Sequence, residues 1–485
     1  MSHYKPYPVY RDSGVEWIGQ VPEHWTQCAL KHVLYEINSG GTPDTSNPEF
    51  WDTGDDRVPW VAISDMSSTE VITNTQKSIT AKGIENKRLR VFPKGTLLFS
   101  MYASLGHMAE LGLSATINQA ILALIPNTQI DQQYLKRWLQ FLQPHLIVAA
   151  NNATQDNLNA EKIGSLPCFK LNLSEQKLIA AYIDRETARI DALIAKKTRF
   201  IELLKEKRHA LITHAVTKGL DPDVPMKDTG VEWISEVPEH WRVSSVKWEF
   251  DIQLGKMLQP EPKDRSDVAI PYHKAVSVQW EQVSDTPPEM MWVSPSEIET
   301  YRIRNGDLLI CEGGDVGRAA LFEGDDSTPI IIQNSIHRVR PKNGNENKLL
   351  LRIMQTVKES GWFDVLCSKA TIVHFTAEKL GNLAYPVASL EEQKAIVSVL
   401  DRETARIDTL IVKTQRSIDL LKERRAAFIT AAVTGQIDLR ESTCMTSPIE
   451  KNTSKTMSSP NSLNRAGRSV TQPNTIPNAP YTPMT

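Results

Sequence analysis

Residues 173–217 read LSEQKLIAAYIDRETARIDALIAKKTRFIELLKEKRHALITHAVT, and residues 390–434 read LEEQKAIVSVLDRETARIDTLIVKTQRSIDLLKERRAAFITAAVT. These two stretches decide the architecture. Neither holds a proline or a glycine, and strong helix formers dominate both. Each follows a capping residue, Asn172 or Ser389, placed three positions before an acid, Glu175 or Glu392. Apolar residues recur mostly every three, four or seven positions: Ile179, Ile183, Ile190, Ile194, Ile201 and Leu204 in one copy, Ile396, Leu400, Ile407, Ile411, Ile418 and Leu421 in the other. The pattern predicts two helices of about 44 residues, roughly 65 Å long at 1.5 Å per residue. An apolar stripe that long needs a partner along its length, and the other copy is the economical one. In a chain ordered domain, helix, domain, helix, the two helices run antiparallel. The predicted fold class is two α/β (α+β) units separated by two long antiparallel helices, a coiled-coil rod with pseudo-two-fold symmetry.

The repeat extends beyond the helices. Both contain the octapeptide DRETARID, at Asp184–Asp191 and Asp401–Asp408. Upstream, Asp12-Ser13-Gly14-Val15-Glu16-Trp17-Ile18 and Val21-Pro22-Glu23-His24-Trp25 recur as Asp228-Thr229-Gly230-Val231-Glu232-Trp233-Ile234 and Val237-Pro238-Glu239-His240-Trp241. The sequence thus divides into a first unit, 1–170, a central helix, 171–218, a linker, 219–227, a second unit, 228–388, a C-terminal helix, 389–437, and a tail, 441–485. The tail is rich in Ser, Thr, Asn and Pro, has no acid after Glu450 and is expected to be disordered. The inserts at about 32–160 and 248–376 are hard to align, apart from anchors such as Gly106 with Gly317 and Asn118-Gln119 with Gln333-Asn334. Drift after duplication is the bland explanation. Drift would also blur exposed helix faces, and these stayed alike, so the frames are expected to serve one shared geometry and the inserts two targets.

The inserts read as mixed α/β. Strands are predicted at Arg57–Ile63, Gly95–Phe99, Ile121–Ile125, Asp307–Cys311 and Ile330–Ile332, with helices at Tyr134–Val148 and Lys348–Leu366. In both, a strand with Leu-Leu runs into a loop of small and polar residues, Ser100–His107 and Glu312–Arg318. Such loops can carry backbone N–H groups, hydroxyls and a basic side chain to phosphates or base edges. Lys82, Lys87, Arg88, Arg90 and Lys94, and also Arg338, Arg340 and Lys342, form local basic clusters, expected to be solvated surface.

Composition narrows the function. The 485 residues carry a formal net charge of −3, so nucleic-acid binding requires locally concentrated cations or help from partner chains. No apolar run approaches a membrane span and the N-terminal residues are polar, so neither a membrane nor an exported protein is expected. Five widely spaced cysteines suggest reduced thiols, without a disulfide framework or a zinc site. No H-E-x-x-H, G-x-S-x-G, Walker A or [DNS]-P-P-[YF] motif occurs, so no catalytic or metal-ligating residue is assigned. His24 and His240 recur within P-E-H-W, where packing is expected. A coiled-coil scaffold whose α/β units bind proteins, and a stand-alone enzyme with an unrecognised site, stand as alternatives to DNA recognition.

The arrangement resembles the specificity (S) subunit of type I restriction–modification systems over about residues 10–440. The marks are D-[ST]-G-V-E-W-I with V-P-E-H-W before each insert, and E-Q-K, D-R-E-T-A-R-I-D and L-L-K-E-[KR]-R after it. Ser39–Pro43 through Val58-Pro59-Trp60, and Pro93-Lys94-Gly95 through Asn118-Gln119, are also similar. The resemblance implies a non-catalytic chain with two target recognition domains, and the reduced thiols point to a cytoplasmic one. Each would read one half of a bipartite, asymmetric double-stranded DNA site. The rod would set the spacing and dock two modification (methyltransferase) subunits, which support restriction (translocase–nuclease) subunits. S-adenosylmethionine, ATP and Mg would belong to those partners, none to this chain. By loop placement the DNA-binding candidates are Thr42, Ser100, Tyr102, Ser104, His107, Asn118 and Gln119 in the first unit, and Lys256, Glu312, Asp315, Arg318, Gln333 and Asn334 in the second. Asn118-Gln119 and Gln333-Asn334 have a second reading as amides that hold the loop. Subunit-docking candidates are Asp184, Arg185, Glu186 and Arg189, with Asp401, Arg402, Glu403 and Arg406; the alternative for this mixed-charge stretch is a solvated helix face.

Overall fold

A computed structural model describes residues 4–51, 57–66, 69–102, 105–152, 158–284, 289–367 and 374–440. The tail, including Cys444, lies outside them. Two helices, Leu173–Lys218 and Leu390–Val433, form the rod, and 46 residues make the first about 69 Å long. Asn172 accepts the Glu175 N–H at 2.8 Å, while Ser389 and Glu392 form the full reciprocal capping box.

The helices run antiparallel, and their charges record the symmetry. Arg425 lies 2.9 Å from Asp191, and Arg208 lies 3.2 Å from Asp408. A shift of 217 residues turns either pair into the other. Each globular unit grips the start of one helix and the end of the other. Ile179, Ile183, Phe428, Ile429 and Val433 join the core of the first unit; Ile212, Val216, Ile396 and Leu400 join that of the second. The chain closes on itself where Asp438 N–H donates to the Lys5 carbonyl at 2.8 Å and the Tyr10 hydroxyl to the Gly435 carbonyl at 2.9 Å.

The repeated frame motifs explain each other. The Trp25 indole N–H donates to Glu175 at 3.2 Å, His24 Nε2 lies 3.0 Å from the same carboxylate, and the Tyr7 hydroxyl donates at 2.7 Å. In the second unit His240 Nε2 and the Trp241 indole reach Glu392 at 2.7 and 3.2 Å. P-E-H-W therefore locks the first turn of its own unit's rod helix. Burial alone would raise the Glu392 carboxyl, but hydrogen bonds from His240, Ser389 and Trp241 outweigh it and lower the pKa to about 2. A pKa below the ordinary carboxylate value stabilises the fold above that value, and the stabilisation is lost as pH falls from about 4.5 toward 2. The side chain is 37% exposed, so after screening the contribution is ~1–2 kcal/mol. Thermal unfolding from pH 5 to pH 2 is expected to show a smaller acid-induced drop for Glu392→Gln than for the native chain. An equal drop would remove this carboxylate from the account.

The dissimilar inserts share one topology. In the first unit Leu34–Ser39, Ile121–Pro126, Leu97–Ser100, Met108–Leu111 and Val71–Ile72 lie side by side in that order. In the second, Phe250–Leu254, Ile336–Pro341, Leu308–Cys311 and Ala319–Leu321 repeat the first four. A smaller sheet also recurs. Val58–Val61 lies between Thr116–Ile117, parallel, and Lys77–Ile79, antiparallel, as Val268–His273 lies between Ile330–Ile332 and Glu289–Val293. Strand alternation divides the core. Leu97 and Phe99 face the helix Gln132–Asn152 with Trp138, whereas Leu98 faces Val61 and Ile117. Leu308 and Ile310 against Leu309 and Cys311 divide the second core in the same way.

Some expectations are corrected. The helix expected over Lys348–Leu366 breaks into Asn347–Glu359 and Trp362–Leu366, because Gly361 turns left-handed at φ 72°. The strand expected from Gly95 starts at Leu97, after a turn with Gly95 at φ 90°. Arg57–Ile63 shortens to Val58–Val61, and Ile63 begins the helical turn Ile63–Met66. Arg338 is not solvated, and Arg340 is only partly exposed. Arg338 is 5% exposed and donates to the Thr300 carbonyl at 2.8 Å, and Arg340 grips Asp307 at 2.7 Å. Cys28 and Cys168 face each other across paired strands as free thiols.

Candidate nucleic-acid interface

Where the two sheets of a unit meet, three segments converge. In the first unit they are Gly40–Pro43, the loop after Ser100 and the turn Asn118–Ala120. Gly41 N–H donates to the Ile117 carbonyl, Asn118 N–H to Val61 and Met101 N–H to Ala120, each at 2.9 Å. In the second unit Lys256 N–H donates to Ile332 at 2.8 Å, Gln333 N–H to His273 at 2.9 Å and Glu312 N–H to Ser335 at 3.0 Å. The backbone passes so closely that a Cβ on Gly40 would lie 1.8 Å from the Ile117 carbonyl oxygen, and one on Gly255 would lie 2.2 Å from that of Gln333. Gly106 and Gly317, both at φ 75°, close equivalent loops by donating to Ser100 at 2.9 Å and Cys311 at 3.1 Å.

The side chains on this common backbone divide into those that build the edge and those it presents. Thr42, Asn118 and Gln119 form one cluster. Asn118 Nδ2 donates to Thr42 Oγ1 at 3.2 Å, its Oδ1 accepts Ala120 N–H at 2.8 Å, and Thr42 contacts the exposed Gln119. Asn118 is thus a structural amide, and Gln119 is presented to solvent. Tyr102, 40% exposed, projects from the adjoining loop. Ser100 is fully buried and donates to the Tyr102 carbonyl at 2.8 Å, so it holds the loop and is not presented. His107 is half-buried at the foot of that loop, and its carbonyl accepts Ser100 N–H at 2.9 Å. Ser104 lies outside the described residues.

In the second unit Lys256 is buried and paired with Glu297 at 3.0 Å, which withdraws its charge from solvent. Arg318 donates to the Ala275 carbonyl at 2.8 Å, and Asp315 is tied to Lys358 at 2.6 Å. Both brace the loop. Glu312, half-buried, joins Ser335 and Phe375 through its backbone, while Gln333 and Asn334 stay half-exposed in the turn. The sequence reading passed over Met257, 74% exposed, Leu258, 44%, and Val276, 65%. Nothing local in the sequence marks these three apolar residues as exposed.

DRETARID also resolves residue by residue. Arg137 donates to Asp184 at 2.7 Å, and Arg352 and Lys348 reach Asp401 at 3.0 and 3.2 Å. These aspartates tie each unit to its rod helix while remaining partly exposed. The threonines are buried and donate to carbonyls one turn back, Thr187 to Ile183 and Thr404 to Leu400, each at 2.7 Å. Glu186 and Glu403 are half-buried beside arginines. Arg185, stacked 4.1 Å from the Tyr182 ring, remains exposed with Arg189, Arg402 and Arg406. Among the described residues no group of His, Cys, Asp or Glu could hold a metal ion, and no helix is long and apolar enough to cross a membrane.

Two like scaffolds with unlike presented side chains, fixed at opposite ends of a symmetric rod, define a bipartite recognition protein. Residues 22–203 and 238–418 match the model of the type I restriction modification DNA specificity domain, and the chain belongs to that family. It is 33% identical over 120 residues to the type I restriction enzyme MjaIX specificity subunit of Methanocaldococcus jannaschii, covering 24% of this chain and 27% of that protein. The putative MjaX specificity subunit of the same organism is 22% identical over 441 residues, 87% of this chain and 96% of that one. The EcoR124I/EcoR124II specificity subunit of Escherichia coli is 23% identical over 42% of this chain and 50% of its own length. The fold matches the HsdS subunit of Thermoanaerobacter tengcongensis at TM-score 0.55 and 18% identity, covering 86% of this chain and 98% of that one. A chain solved in work on complex assembly and conformational transition of the type I R-M system matches at TM-score 0.66 and 16% identity, covering 86% and 99%.

Proposed function

We propose that this chain is the DNA-specificity subunit of a type I restriction–modification complex and acts in the cytoplasm. One observation carries the reading: the same backbone junction is built twice, once presenting Thr42, Tyr102 and Gln119 and once Met257, Val276 and Asn334. Threonine hydroxyls and glutamine or asparagine amides suit base edges, and methionine and valine suit thymine methyl groups, so the two edges read unlike half-sites. The rod's pseudo-two-fold matches the two-fold of a duplex, so each edge meets its half-site from the opposite strand direction. At 3.4 Å per base pair, a rod of about 69 Å spaces the half-sites one or more turns apart.

The rod also serves partners. Arg185, Arg189, Arg402 and Arg406, with exposed Leu193, Phe200, Leu203, Leu410, Val412 and Leu420, form the surface on which two modification subunits dock. Restriction subunits assemble on those. Methylation and cleavage, with S-adenosylmethionine, ATP and Mg, reside in the partners.

Exchanging residues 32–160 for those of a relative with a different site tests the division of labour. Mapping methylated sites in cells carrying the hybrid and its modification subunit is expected to show one half-site changed and the other kept. A change in both halves would overturn the division of labour, and absence of salt-dependent DNA binding by the purified complex would favour the protein-binding scaffold.

A further inference from the structure

Glu281 belongs to the second insert, yet it reaches the rod. It sits at the tip of the hairpin Val278–Gln279 and Gln282–Val283, in a left-handed turn at φ 64°. Its carboxylate takes the guanidinium of Arg208 on the first rod helix at 2.5 Å, that of Arg352 at 2.9 Å and the Gln355 amide at 2.5 Å. Arg208 in turn meets Asp408 on the second rod helix, and Arg352 meets Asp401. One acid thus gathers both rod helices and the domain's own helix, Asn347–Glu359, into a single charged cluster.

Trp280, the neighbour of Glu281, packs against the second unit's core, but the corner is only partly filled. Two hollows open to solvent adjoin Glu281, one of about 500 Å³ beside Lys205, His209 and Trp280 and one of about 250 Å³ beside Leu321 and Thr404. The charged cluster adds to that packing where the junction opens to solvent.

The hairpin leads straight to the reading edge. Ser284 N–H donates to the Ser277 carbonyl at 2.7 Å at the hairpin base. Just before it, Ala275 N–H donates to Ser335 Oγ at 3.1 Å, and the Ala275 carbonyl accepts Arg318 at 2.8 Å. The first unit has a looser counterpart: Glu70 feels the charges of Arg137 and Arg425, the repeats of Arg352 and Arg208, without a direct bond to either among the described residues. Glu70, beside the equivalent strand, pairs at 2.8 Å with Lys136 of its own domain, and Arg425 binds Asp191.

We propose that Glu281 is a positioning residue that clamps the second reading edge to the rod and so sets how strictly the gap between half-sites is measured. The proposal rests on the bipartite DNA reading above. It separates two tasks: the presented side chains choose bases, and the Glu281 cluster chooses distance.

The test uses the complete methyltransferase complex with native, Glu281→Gln or Glu281→Ala chains. Methylation rates are compared on duplexes with the native gap and with gaps one base pair longer and shorter. Both variants are expected to lose about tenfold of the preference for the native gap, a coupling of about 1.4 kcal/mol, while keeping discrimination against single-base changes in either half-site. Glu281→Gln keeps the side chain's size, so it reports the charge even if Glu281→Ala assembles poorly. Unchanged gap preference in Glu281→Gln, or equal loss of gap and base discrimination, overturns the clamp. Absence of site preference in the native complex overturns the DNA reading itself, and the clamp with it.

Discussion

A heptad added to each rod helix, between Arg199 and Phe200 and between Arg416 and Ser417, is expected to lengthen the recognised gap by about three base pairs and leave both half-sites unchanged. Seven residues add about 10 Å of helix, close to three steps of 3.4 Å along a duplex. The insertion points are the rod's centre. Asp191–Arg425 lies on one side and Arg208–Asp408 on the other, so each pair travels intact with its own half. Seven residues also keep the apolar stripe in phase. A heptad in only one helix shifts those charge pairs out of register by about 10 Å and is expected to abolish assembly. Methylome mapping of the doubly extended chain decides the matter. Altered half-sites, or an unaltered gap, would remove the ruler from the account.

The second large effect comes from the glycines where the two sheets meet. Gly40→Ala puts a Cβ 1.8 Å from the Ile117 carbonyl oxygen, and Gly255→Ala puts one 2.2 Å from that of Gln333. The obstacle is backbone in both cases, so the strand crossing itself must open. Overpacking of this kind costs about 3 kcal/mol, which as a loss of competent reading edge weakens site-specific binding by about 100-fold. Each variant is expected to lose one half-site: Gly40→Ala that of the first unit, Gly255→Ala that of the second. Gly41→Ala is the control. Its Cβ meets only the flexible end of Leu89, at 2.7 Å, and the effect is expected to be slight. Native binding and melting by Gly40→Ala would show that the junction is not the reading edge.

Both predictions draw on features of different legibility. The rod could be read directly, because helix periodicity and caps are local and because 173–217 and 390–434 spell the same pattern. The frame motifs were visible as repeats, but not the bond from Trp25 to Glu175, 150 positions apart. The inserts hid their kinship. Strands tolerate almost any apolar alternation, so two sheets of one topology share only a few anchors, and the equivalence of Gly40 and Gly255 emerges only when the backbones cross. The candidate site fared least well. Lys256 and Arg318 stood among the DNA-binding candidates, yet Glu297 and the Ala275 carbonyl engage them; Met257 and Val276 drew no assignment, yet they face solvent.

Sequence by itself determined the duplication, the two long helices and their mutual partnership, because a helix is specified by neighbours three, four and seven residues away. Tertiary structure alone decided which polar side chains build the reading edge and which it offers, and that one insert acid reaches the rod. Exposure depends on partners distant in the chain, and a buried charge stays buried only where such a partner meets it.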